Sequence, residues 1–127
     1  MTEAEVVHLL SEHFESLFPK VCPKCNRCFN TLREYVLATR RIGSPISYDA
    51  ELGDWNPTQP IGSVVAANCP CGTTLALSTD TMPIPQRLEL LNWIRMETQR
   101  RGFNSSELLN HLREEVRKQV SVKPGPL

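Results

Sequence analysis

Apolar residues recur at helical spacing at both ends of the chain and gather into short runs between them. Val6, Leu10, Phe14 and Leu17 follow Thr2 and Glu5, which have the spacing of a capping box, and Pro19 ends the series. That pattern predicts an N-terminal helix over 2–18. Towards the other end, Pro85 fits a first helical turn, and Leu88, Leu91 and Ile94, with Leu90 and Trp93 beside them, give a broad apolar face. Arg100-Arg101-Gly102 marks a stop. Asn104 and Glu107 then open a second helix, whose Leu109, Leu112, Val116 and Val120 form one stripe. The pair predicts an αα-hairpin over 84–120, with the tail SVKPGPL frayed.

The middle of the chain reads differently. IGSVVAAN (61–68) and TTLALST (73–79) are apolar runs flanking Cys69-Pro70-Cys71-Gly72, which predicts a β-hairpin over 61–79 with a turn made of cysteines. Neither run carries a charge, so both faces should be covered, or partner segments should pack on them. Residues 31–42 are ambiguous. Thr31 and Glu34 offer a capping box, and Arg40, Arg41 and Gly43 suit a helix end, whereas Tyr35-Val36-Leu37 also suits a strand. The caps favour a helix. Residues 43–60 are rich in turn formers and predict an irregular excursion, with Tyr48 and Trp55 anchoring it to the core.

These elements make a single α+β domain over 1–127, in which a cysteine-bearing region (20–80) containing the hairpin is packed by three or four helices. A chain of 127 residues can bury a core of that kind. Formal net charge is zero, with −3 on residues 1–83 and +3 on 84–127, so no global field advertises a nucleic acid or a membrane. The uncharged stretch from Trp55 to Thr79 contains Pro57, Pro60 and Pro70 and cannot be a membrane helix. The N-terminus, MTEAEVVHLL, has acids where a secretory signal needs a basic flank, so a cytoplasmic setting is expected. There, clustered thiols bind metal or do redox work more often than they form disulfides, and the odd count of five agrees.

Three of the thiols lie in CPKCNRCF (22–29) and two in NCPCG (68–72). Cys22-Pro23-Lys24-Cys25 lets both sulfurs reach one ion while a turn aims backbone amides at them. Cys69-Pro70-Cys71-Gly72 is a shortened second copy whose glycine is free to turn left-handed. Through CPKC and NCPCG, the chain resembles the zinc-ribbon and zinc-knuckle class of four-cysteine proteins. The second pair has one intervening residue instead of two, and 43 residues (26–68) separate the pairs. Zinc tolerates both, having no d-electron geometry to enforce.

The ligand set is Cys22, Cys25, Cys69 and Cys71, holding a structural zinc, with Cys28 a bystander beside Phe29. Buried free thiols would have to explain two Cys-Pro turns by accident. An iron–sulfur centre on Cys22, Cys25, Cys28 and Cys69 is the rival metal reading and would leave Cys71 spare. A thiol-redox pair at Cys22/Cys25 lacks the βαβ setting that motif requires.

No catalytic residues emerge. None of His8, His13 and His111 sits in a zinc-hydrolase pattern, and no nucleophile elbow, phosphate loop or dinucleotide fingerprint is present. His8 and His13 read as surface or rim residues. An enzyme is not expected. Arg95, Arg100, Arg101, Arg113, Arg117 and Lys118 could track phosphates, but Glu89, Glu97, Glu107, Glu114 and Glu115 share their helices. The sequence therefore predicts a small zinc-binding or regulatory module with a protein partner. A nucleic-acid partner, or a homodimer through the helices, stands as the alternative; no membrane is involved.

Overall fold

The computed structural model describes residues 1–122; the part of the tail at 123–127 lies outside them. Among the described residues the architecture is α+β, with five helices and two small antiparallel sheets.

Helix α1 (Glu3–Glu15) starts on the full Thr2/Glu5 capping box and buries Val6, Val7, Leu10 and Phe14. A two-residue pair, β1 (Lys20–Val21) and β2 (Cys28–Phe29), brackets the first cysteine turn. Helix α2 (Leu32–Ala38) is capped by Thr31, and Glu15 of α1 accepts the Leu32 N–H at 2.6 Å, satisfying a helix-start donor across the fold.

The helix predicted over 31–42 stops at Ala38. Arg40–Ser47 is instead the edge strand β3, antiparallel to β4 (Ser63–Asn68), which pairs in turn with β5 (Thr74–Ser78). The β3 register shifts between Ile42 and Ile46, where Gly43 and Pro45 interrupt the ladder. An edge strand tolerates such residues because one side makes no ladder bonds.

The excursion is correspondingly shorter than predicted. A one-turn helix, α3 (Tyr48–Glu51), follows β3 directly. Trp55 packs against the core, but Tyr48 is exposed and anchors nothing. The buried residue there is Asp49, whose carboxylate accepts the N–H groups of Ile61 and Gly62 at 3.0 Å each.

Directly opposed residues share a face of the sheet. Arg41, Ala67 and Leu75 therefore point the same way as Val65 and Leu77, towards the helices. The other face carries Thr74 and Ala76, which are exposed, so the uncharged strands are covered on one side only. Helix α4 (Ile84–Arg101) ends at left-handed Gly102, and α5 (Ser105–Ser121) begins on the Asn104/Glu107 capping box. Leu108, Leu109, Leu112 and Val116 of α5 meet α1, α2, α4 and β3, so the last helix is the element around which the core closes.

Candidate metal centre

Cys22 follows β1 and Cys69 follows β4, so each strand delivers its first sulfur into the core side of a turn. The two turns are built alike. The Cys22 N–H donates to Arg27 O and the Asn26 N–H to Cys22 O; in the second turn the Cys69 N–H donates to Thr73 O and the Gly72 N–H to Cys69 O. Asn26 (φ 62) and Gly72 (φ 95) supply the left-handed residue that ends each turn. The single residue missing from the second copy is absorbed between its cysteines.

These turns bring Cys22, Cys25, Cys69 and Cys71 together, with all four Sγ atoms within 4.8 Å of one another. Cys22 and Cys71 are 3.7 Å apart and Cys25 and Cys69 3.6 Å. All five cysteines are free thiols. A tetrahedron with metal–sulfur bonds of about 2.3 Å has edges of about 3.8 Å, so the group is already close to the size one ion demands. Cys22 and Cys69 are buried within the hydrophobic core, Cys71 is half-buried and Cys25 faces solvent. The cluster is thus anchored on its inner side and accessible on its outer side.

Cys28 stands apart from this group. It is exposed on β2, with its sulfur 3.5 Å from Asn30 Oδ1. Phe29 beside it is the residue that enters the core.

The electrostatics of the four sulfurs are uneven. At Cys22 the backbone N–H groups of Cys25 and Lys24 outweigh burial and lower the pKa. The Thr73 hydroxyl, 3.2 Å from Cys71 Sγ, and the Thr73 N–H favour that thiolate and bring Cys71 down to about 6. At Cys69 the Cys71 N–H favours the anion, but burial and the neighbouring sulfurs prevail and push the thiol up to about 12. Four negative charges at this spacing repel strongly, so full deprotonation of the group calls for a cation at its centre. Asn26 and Thr73 are the supporting residues that composition and cysteine spacing did not single out. Their signal was local: asparagine is the commonest left-handed residue after glycine, and each lies within two residues of a ligand-spaced cysteine.

The histidines lie elsewhere. His8 is exposed beside Glu12, His13 Nε2 is 2.9 Å from Ser78 O, and His111 pairs with Glu3. The C-terminal cations largely have partners within the fold. Arg100 and Arg101 bind Glu97, with Arg101 also on Glu3; Arg113 donates to Gly43 O, Arg117 to Val36 O, and Lys118 meets Glu115. No helix among the described residues is long and apolar enough to cross a membrane.

No protein-family model matches this chain, and no curated protein or solved structure matches it either. The cysteine geometry alone therefore defines the class: an α+β protein with a four-cysteine cluster at metal-binding distance.

Proposed function

We propose that Cys22, Cys25, Cys69 and Cys71 hold one zinc ion as a structural clamp, in the manner of a zinc ribbon. The observation that carries this reading is the near-tetrahedral edge length between sulfurs from two turns that share one backbone design. Sulfurs in mutual contact leave room for a single ion and not for a four-iron cluster. The position of Cys28 outside the group also argues against the ligand set such a cluster would use.

Four thiolates close the shell of a tetrahedral ion and leave no position for an activated water. The metal then contributes folding free energy, and the protein is a non-enzymatic binding or regulatory module of a reducing compartment. A protein partner is favoured over nucleic acid because the arginines at the end of α4 and along α5 are engaged with glutamates and backbone carbonyls of their own chain.

Metal analysis of protein purified without oxygen, on the wild type and five single Cys→Ala variants, tests the reading. About one zinc per chain is expected in the wild type and in Cys28→Ala, with loss in the other four. Iron in place of zinc, or metal lost from Cys28→Ala and kept by Cys71→Ala, would overturn it. Duplex DNA binding that weakens steeply with salt would overturn the choice of partner.

A further inference from the structure

The two edges of the three-stranded sheet are finished differently. The strand order is β3-β4-β5, so β3 and β5 each have one side without a neighbouring strand. On β3 that side is guarded: Arg40 and Arg41 open the strand, Gly43 and Pro45 interrupt its register, and α5 packs against it. Strand β5 contains no charge, no proline, no glycine and no shift of register. Charges, prolines and bulges are what keep a sheet edge from pairing with another chain, and β5 has none of them.

The register of β5 fixes which of its backbone groups point outwards. The Cys69 N–H donates to Thr73 O and the Thr79 N–H to Ser63 O, so Thr73, Leu75, Leu77 and Thr79 turn their amides and carbonyls towards β4. Thr74, Ala76 and Ser78 therefore turn theirs away from it. His13 Nε2 lies 2.9 Å from Ser78 O. The other outward groups, the N–H of all three residues and the carbonyls of Thr74 and Ala76, have no partner among the described residues. Thr74 and Ala76 are exposed, so this open stretch of backbone is accessible.

We propose that β5 docks on the β5 of a second copy of this chain, antiparallel about a twofold axis at Ala76, so that two sheets become one. An axis there engages all three outward-facing residues. Ala76 meets its own counterpart, and the two exchange both N–H···O bonds. Ser78 lies opposite the second copy's Thr74 and donates its N–H to that carbonyl. The side chains match in the same register. Thr74 and Ser78 bring hydroxyls together on the exposed face, Ala76 leaves the axis uncrowded, and Leu75 lies opposite Leu77 on the helix-facing side. No like charges oppose one another, because the strand carries none. A second copy is favoured over a foreign peptide because β5 is complementary to itself in donors, acceptors, charge and side chains.

The test is sedimentation equilibrium of the full-length protein over a micromolar-to-millimolar series, with amide hydrogen exchange read at Ala76 and Ser78. A monomer–dimer equilibrium is expected, with exchange at both amides slowing as the dimer forms. Ala76→Pro removes an N–H that points away from β4, so the monomer should keep its fold and the dimer should be lost. Ala76→Lys and Ala76→Glu each set like charges against one another across the axis. Each should raise the dissociation constant about tenfold or more, and an equimolar mixture of the two should restore association as a mixed dimer. Should Ala76→Pro fail to fold, the charge pair still decides. A wild type that stays monomeric throughout the series would overturn the proposal and leave the edge to a strand from another protein. A dimer in which both amides exchange as in the monomer, a dimer indifferent to the substitutions, or Lys and Glu variants that do not associate with each other would equally overturn it.

Discussion

Asn26 and Gly72 occupy the same place in two separate cysteine turns: each is left-handed, and each donates its N–H to the carbonyl of the cysteine that opened its turn. The two sites differ in how much strain a side chain would meet. At Asn26, φ is 62°, inside the region asparagine visits; at Gly72, φ is 95°, beyond it. A Cβ at Gly72 would touch nothing within 4 Å, so the cost of Gly72→Ala is conformational only. It should destabilise the protein by about 1–2 kcal/mol. Asn26→Gly should stay within about 0.5 kcal/mol of wild type, whereas the β-branched Asn26→Val should lose at least as much as Gly72→Ala. Urea unfolding of the three variants makes the comparison; an unaffected Gly72→Ala would mean that the turn does not need its left-handed residue.

Loss of the proposed zinc should be a larger perturbation than any turn substitution. An ion on the four cysteines would tie residues 22–25 to residues 69–71 and so close the segment that carries α2, β3 and α3. With structural zinc worth roughly 10–16 kcal/mol in finger peptides, chelation should cost several kcal/mol even in a chain with its own core. At about 4 °C per kcal/mol for a domain of this size, the thermal midpoint should fall by more than about 10 °C and return when zinc is restored. The helices should survive better than the sheet, because α1 and α4 pack directly on α5. Far-UV circular dichroism with and without chelator reads both effects. A midpoint unmoved by a chelator that demonstrably strips the metal would deny the ion any structural role.

The parts of this fold that were legible in the sequence are those in which a local rule and the tertiary packing agree. The caps at Thr2 and Asn104 and the stripe on α5 are of that kind, as are the Cys-Pro turns. Strand β3 was hidden because RRIGSPIS contains the residues that signal loops, and its pairing depends on β4, whose partner residues lie 16 to 28 positions further along the chain. Glu34 illustrates the same limit. Its side chain reaches the Asn30 N–H at 2.7 Å and leaves the Thr31 N-cap without the reciprocal bond that would have completed the capping box. Asp49 reads in sequence as one more turn former, and only the fold reveals that it is buried.

Asp49 should be among the least replaceable polar residues of the chain. Its two oxygens accept the N–H groups of consecutive residues, Ile61 and Gly62, and so fix the entry to β4. Asp49→Asn leaves one oxygen and turns an NH₂ group towards a backbone N–H, which should cost about 1–3 kcal/mol. Gly62→Ala should be comparably harmful for a different reason. The added Cβ would lie 2.7 Å from Thr79 Oγ1, an atom already committed to accepting the Ser63 N–H. Equilibrium unfolding of both variants checks this; wild-type stability in Asp49→Asn would mean that water replaces the carboxylate without loss.

Glu3 joins the start of α1 to the end of α4 and the middle of α5, since its carboxylate binds Arg101 of α4 and His111 of α5, each at 2.9 Å. Partial burial raises its pKa, but the hydrogen bonds from Arg101 and His111 and their charges outweigh this and hold it below the ordinary carboxylate value of 4.5. A carboxyl with a lower pKa in the folded state contributes stability above the unfolded value and loses it as pH falls through the folded one. The contribution should therefore be intact at neutral pH and decline below about pH 4.5. Because the group is a third exposed, the effect should be within about 1 kcal/mol. Glu3→Gln should accordingly be less stable than wild type at pH 7, and the two should converge as pH falls below 4.5 and through the lowered folded-state pKa of Glu3. Thermal unfolding of the pair across that range measures it, and a gap that persists unchanged at low pH would assign the Glu3 contribution to packing in place of charge.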